Sequence, residues 1–145
     1  MSSYQKKIEL RWSDLDPNFH LRHSAYYDFG AYIRISYFND HGLSNQVLID
    51  NHFGPILFRE ECIFRKELKM NDELTINLEV VKARKDLSRW TIQHQFMRNG
   101  QLAAVLTVDG AWIDTQLRKL TNIPEQYRHI MESMPRAENF EWIVK

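Results

Sequence analysis

From Ser13 to Ser24 the chain reads Ser-Asp-Leu-Asp-Pro-Asn-Phe-His-Leu-Arg-His-Ser, which gathers two carboxylates, two imidazoles and a carboxamide in one short stretch. A carboxylate can attack a carbonyl or take a proton from water, and an imidazole beside it can orient that water or carry the proton. Asp16 is the leading candidate, because a loop ending at Ser24 can fold back and bring it to whatever Ser24 begins. Asp14 would point the same way as Asp16 if the segment were extended, making a pair in which one carboxylate tunes the other's pKa. The plainer role for both is to close turns through their own backbone, with Pro17 fixing the angle after Asp16. His23 could bond a carbonyl oxygen, orient water or hold Asp16, or simply bond backbone at a helix entrance. Asn18 and His20 are lesser candidates for positioning water. No spacing here matches a helical H-x-x-x-H or a cysteine cluster, so no metal is expected.

These residues need elements to hold them. Ser24 is placed to cap a helix of about Ser24–His41, with Asp28 favoured in its first turn and Gly42 ending it in a left-handed turn. Its apolar residues, from Ala25 and Tyr26 to Tyr37 and Phe38, cover more than half the circumference, so the helix must be wrapped. Before the loop, Ser3–Trp12 alternates weakly, as an edge strand would. After the helix come strands Ile56–Glu67, Leu74–Val81, Arg89–Arg98 and Gln101–Asp114, the middle two with clear alternation. Asn99-Gly100 predicts a tight hairpin, since both turn residues tolerate positive φ, and Lys85-Asp86 a second turn. Pro124 can open a short helix to Ser133, and Phe140, Trp142 and Ile143 can pack the tail back on the body. The order asks for an α+β fold, one antiparallel sheet around one long helix, in a single domain over residues 1–145.

Composition narrows the function classes. Lys plus Arg and Asp plus Glu are 19 each, so no bulk field draws the chain to nucleic acid or an anionic membrane. The start lacks the apolar stretch of a secretory signal, and the longest apolar run, Leu102–Leu106, is far too short to span a bilayer. Cys62 is the only cysteine, which excludes an intrachain disulfide and makes a reducing, cytoplasmic setting the expectation. Cys62 itself reads as a small buried hydrophobe, and His94, in phase with Trp90, Ile92 and Phe96, as a core histidine.

The stretch from Arg11 to Tyr26 resembles the first motif of the hotdog acyl-CoA thioesterases of the 4-hydroxybenzoyl-CoA thioesterase type, which shows D-x-D, a short turn and an aromatic-rich helix. Met70-Asn-Asp-Glu-Leu-Thr-Ile is similar to that family's "G-D-E-L" strand entry, Asn99-Gly-Gln-Leu-Ala-Ala to its hairpin, and Ile123-Pro-Glu to its closing helix start. The matches run in order over about residues 5–133. The resemblance implies a hotdog fold, an acyl-CoA substrate whose coenzyme A is the only cofactor-like group, and a homodimer or dimer-based oligomer. It places the catalytic carboxylate on Asp16, with His23 as its helper and Asn18, Phe19, Ser24 and Tyr26 around the substrate. Phe19 stands where the family usually has glycine, and Ala31 where it often has a helical glutamate, with Arg34 kept.

A thioester is already activated, so the helix's first backbone amides near His23–Ala25 could polarise its carbonyl while Asp16 acts as nucleophile or base. A basic group among Arg59, Arg65 and Lys66, beside Glu60 and Glu61, would either meet the nucleotide end of coenzyme A or form a solvated face. Two other functions fit the same residues: a hotdog-type enoyl-CoA hydratase, and a domain that binds acyl-CoA or an acyl carrier without turnover.

Overall fold

The computed structural model describes residues 3–144. Its elements are β1 (Gln5–Ile8), a 3-10 turn (Trp12–Asp14), α1 (Ala25–Asp40), α2 (Asn45–Asp50), β2 (Phe53–Phe64), β3 (Leu74–Asn77) and β4 (Glu79–Ala83). β5 (Arg89–Arg98), β6 (Gln101–Asp114), β7 (Lys119–Thr121), a 3-10 turn (Glu125–Tyr127), α3 (Arg128–Glu132) and β8 (Arg136–Trp142) complete them.

Eight strands make one sheet around α1, the hotdog arrangement of the α+β class. β2 is an edge and pairs antiparallel with β6, which pairs with β5. Along β5 lie β3 at one end and β4 at the other. β1 then adds antiparallel to β3, and β8 adds parallel to β4. The hairpin between β5 and β6 turns where expected, with Asn99 and Gly100 both at positive φ (49° and 82°).

The inner sheet face carries the alternating residues: Leu74, Ile76, Trp90, Ile92, His94, Phe96, Leu106 and Val108 are all buried. Against them α1 lays Tyr26, Gly30, Ile33, Arg34 and Tyr37. Gly30 sets the closest approach, since a Cβ there would overlap the Leu106 side chain. Gly42, at φ 88°, ends the helix as predicted, with the Leu43 amide donating to the Phe38 carbonyl at 2.8 Å.

Several sequence expectations change. The first strand stops at Ile8 instead of Trp12, because the Asp14 carboxylate takes the Arg11 amide and closes a 3-10 turn. The predicted strand Leu74–Val81 divides at Asn77, whose side-chain oxygen accepts from the Gln95 amide (2.6 Å) and whose carbonyl meets the His94 ring (2.9 Å), which interrupts the ladder to β5. Pro124 stays extended (ψ 143°) outside the terminal helix, which shrinks to a 3-10 turn and five residues of α3. The tail does pack back, as β8, and α2 and β7 are elements without a clear sequence signal. α1 is not fully wrapped either: Tyr32 and Ile35 stay exposed on its outer side. Cys62 is half-buried on β2, less enclosed than expected. None of the described helices is long and apolar enough to cross a membrane.

Candidate functional site

The two aspartates of the D-x-D motif go separate ways. Asp14, at 1% exposure, has both oxygens engaged by Arg11: the amide and Nε donate to Oδ2 (2.8 and 3.2 Å) and Nη2 to Oδ1 (2.8 Å). The Arg11 guanidinium outweighs the penalty of burial and holds the Asp14 carboxyl below the ordinary carboxylate range. Leu15 between them is extended, but Asp14 itself belongs to the 3-10 turn, and it lines a different cleft from Asp16 instead of pairing with it as the spacing suggested. Lys7, Arg11, Asp28 and Tyr32 line that cleft with it, on the β1 side of α1. That cleft is larger, about 590 Å³, but its one buried carboxylate is committed to structure.

Asp16 opens a tight turn. Its amide donates to the His20 carbonyl (2.8 Å), its own carbonyl accepts from the Phe19 amide (2.9 Å), and Oδ1 accepts from the amides of Asn18 (2.9 Å) and His20 (3.1 Å). Both side-chain bonds reach Oδ1, which leaves Oδ2 for the cleft that Asp16 lines. The loop is held down on the sheet side by the Leu21 amide donating to the Leu68 carbonyl (2.7 Å) and by a bridge between His20 and Lys69.

This second cleft, about 320 Å³, lies between the loop, the start of α1 and the end of β2. Asp16, His20, His23 and Tyr26 line it from one side, and Phe64, Arg65, Lys66 and Glu67 from the other. Of the sequence candidates, Asp16, His20, His23 and Tyr26 therefore come together. Asn18, Phe19 and Ser24 do not line it: all three are exposed, Asn18 and Phe19 at the tip of the turn. Phe19 holds φ 67°, the left-handed region that favours glycine, so the aromatic residue sits in a backbone shape made for another.

Ser24 does not cap α1. It is already helical (φ −73°, ψ −23°), and its hydroxyl accepts from Arg22 Nη1 at 2.6 Å. The Ala25 amide donates to the Arg22 carbonyl (3.0 Å), and no N-cap side chain bonds the amides that follow; of the first-turn residues Tyr26 lines this cleft, and Ala25 and Asp28 line the larger one. Tyr26 is packed edge-on to Phe64 (4.9 Å between centroids) and tilted on Phe96 (5.1 Å). Burial first, then the neighbouring Cys62 and Asp16, pushes its phenol up to about 12, so it remains a donor across the working pH range.

Sequence reasoning missed Phe64 and Glu67. Glu67 Oε2 lies 3.3 Å from His20 Nε2, tying the loop to the strand end. Neither could be read locally, since each faces the loop only through the turn that brings β2 back beneath it. Of the basic group, Arg65 and Lys66 reach the cleft, whereas Arg59 pairs with Glu61 at 3.2 Å on the strand. Among the described residues no group of three His, Cys, Asp or Glu is arranged to hold a metal.

Residues 10–131 match the model of the thioesterase-like superfamily. A comparison with curated proteins gives no match. Among solved structures, the chain is similar to a hypothetical protein of Staphylococcus aureus in complex with CoA, at TM-score 0.84 and 18% identity, over 99% of this chain and 89% of that one. It is also similar to a 1,4-dihydroxy-2-naphthoyl-CoA thioesterase from Synechocystis, at TM-score 0.80 and 17% identity, over 91% and 97%. A thioesterase from Thermus thermophilus, complexed with coenzyme A and Zn, gives TM-score 0.72 and 22% identity over 90% and 92%. At these identities the structural likeness speaks for the fold.

Proposed function

The chain belongs to the thioesterase-like superfamily, and on that premise we propose that it hydrolyses acyl-CoA thioesters in the cleft between the Asp16 loop and the end of β2. The observation that carries this reading is that Asp16, with only Oδ1 engaged by the turn, lines one cleft together with Tyr26 of the uncapped first turn of α1. A carbonyl seated there has a carboxylate on one side and backbone N–H donors on the other. Asp16 either attacks the carbonyl carbon, forming a mixed anhydride that water then hydrolyses to free the acid and restore the carboxylate, or removes a proton from the attacking water. The C–S bond breaks, the thiolate takes a proton, and a carboxylic acid and coenzyme A leave. His23, exposed in the same cleft, assists proton movement, and His20, braced by Glu67, fixes the loop. Arg65 and Lys66 suit the phosphates of coenzyme A, in line with the coenzyme bound by two of the structural neighbours.

The same reading makes the protein a homodimer. β2 is a twelve-residue edge strand that exposes Leu57, Phe58, Ile63 and Phe64, an unpaired apolar edge of the kind soluble monomers avoid. Two such edges meeting antiparallel about Glu60 would set Arg59 of each copy opposite Glu61 of the other, a self-complementary contact. The exposed Tyr32 and Ile35 of α1 would be covered in the same assembly. The test is release of free thiol from a panel of aryl and aliphatic acyl-CoAs, run beside light scattering. Turnover of at least one thioester by a dimer is expected. Binding of acyl-CoA without thiol release, or hydration of crotonyl-CoA with the thioester intact, would overturn the hydrolase.

A further inference from the structure

A third pocket opens farther along α1, between that helix and the start of β2, with Trp90 as part of its wall. Its volume is about 180 Å³, and its lining is apolar apart from one group, the guanidinium of Arg34. Arg34 is 7% exposed. One of its N–H groups, on Nη1, donates to His94 Nε2 at 3.0 Å. Among the described residues its charge is met only by Glu60 on β2, whose Oε2 stands 4.0 Å away, beyond hydrogen-bond length, on a side chain that keeps 32% exposure. The helix supplies no acid within a turn, because Gly30 and Ala31 precede Arg34 and Tyr37 and Phe38 follow it. Burial accordingly drags the Arg34 pKa down against the weaker support of Glu60.

A guanidinium only 7% exposed, with one hydrogen bond among its five donors, is costly unless something accepts from the rest. His94 cannot take the role of counter-ion. Its Nδ1 faces the Asn77 carbonyl at 2.9 Å and therefore carries the ring's proton, so Nε2 accepts and the ring stays neutral. Trp90, which lines the same pocket, buries an indole Nε1 that has no acceptor among the described residues. An apolar slot with one cationic fork is the arrangement that recognises an apolar body ending in a planar oxyanion. The volume suits a small one, since a cavity of roughly 150 Å³ holds a benzene ring.

We propose that the pocket between α1 and β2 binds a small carboxylate with an apolar body, its two oxygens taken by the fork of Arg34. The carboxylate is either a free acid or the far end of an acyl group whose thioester is held at Asp16. Only the second source rests on the hydrolase reading. Glu60 competes for Arg34, and an arriving carboxylate takes its place.

The test is calorimetric titration of the protein in its native oligomeric state with pentanoate and, as the neutral isostere, pentanamide. Pentanoate should bind saturably with a Kd on the order of 1 mM, and pentanamide at least about tenfold more weakly. Glu60→Gln should tighten pentanoate binding severalfold. Arg34→Gln should abolish it, and Ala31→Phe, which fills the pocket from a half-buried helix position, should do so with Arg34 in place. Equal binding of the amide, or pentanoate binding unaffected by Ala31→Phe, would overturn the proposal, whether or not the protein hydrolyses anything. Comparing glutaryl-CoA with pentanoyl-CoA then separates the sources. A lower KM for glutaryl-CoA that Ala31→Phe removes assigns the distal carboxylate, and equal KM values with pentanoate still bound assign the free acid.

Discussion

Replacing His94 by glutamine changes how stability depends on pH, and the structure says by how much. His94 is fully buried beneath α1, with Nδ1 bonded to the Asn77 carbonyl at 2.9 Å and Nε2 to Arg34 at 3.0 Å. A proton added at Nε2 would meet a donor instead of an acceptor and stand beside a guanidinium. Burial first, and then the Arg34 charge, press its pKa from 6.5 down to about 3. The folded-state value is the lower one, so the unfolded chain binds the extra proton between those limits. Stability is therefore whole above pH 6.5 and is lost as pH falls toward 3, at about 1.4 kcal/mol per pH unit for one proton. From pH 7 to pH 5 that amounts to about 2 kcal/mol. Urea unfolding of wild type and His94→Gln at both pH values measures it, and the difference between the two proteins cancels the other histidines. The stability advantage of wild type over the variant should shrink by about 2 kcal/mol on acidification. An advantage of the same size at both pH values would refute a neutral, acid-resistant His94.

Two further predictions concern the backbone. Phe19 is 69% exposed at φ 67°, so little burial is lost by changing it: Phe19→Gly should stay within about 1 kcal/mol of wild type, whereas Phe19→Val should fall by about 1 kcal/mol or more in urea midpoints, since a β-branched residue fits that region worst. At Gly110 a Cβ would overlap the Trp90 ring and stand 2.7 Å from the Ile56 carbonyl, so Gly110→Ala should lower stability by about 2 kcal/mol or prevent folding, while Gly30→Ala, which meets the movable end of Leu106, should cost less.

The legible parts of this protein are those that depend on neighbours in the chain. Strict alternation in Arg89–Arg98 and the Asn99-Gly100 turn specify a hairpin without help, and Gly42 marks the end of α1. What sequence could not reveal came from side chains acting at a distance or out of type. Asp14 closes a turn on Arg11 and so breaks both the first strand and the carboxylate pair. Ser24, the residue type that caps helices best, instead takes a bond from Arg22. Asn77 takes the Gln95 amide with its side chain and the His94 ring with its carbonyl, and so splits a strand that reads as continuous. At the site, Asp16, His20, His23 and Tyr26 share a stretch of chain and were found together, whereas Phe64 and Glu67 arrive from a strand far along it. Phe19 and Ala31, the two departures from the family pattern, turn out to matter for different reasons: one for a strained turn, the other for a pocket in which Arg34 lacks a helical acid.

The central claim is that the Asp16 carboxylate acts on a thioester in the cleft. Asp16→Asn keeps an acceptor oxygen for the Asn18 and His20 amides, so the turn survives while the charge is gone. The decisive measurement is thiol release under single-turnover conditions, with the best acyl-CoA of the panel, by wild type and Asp16→Asn at matched folded concentration. Loss of activity by about a hundredfold or more, with acyl-CoA still bound, is the predicted result. An Asp16→Asn protein that releases thiol at the wild-type rate would contradict it.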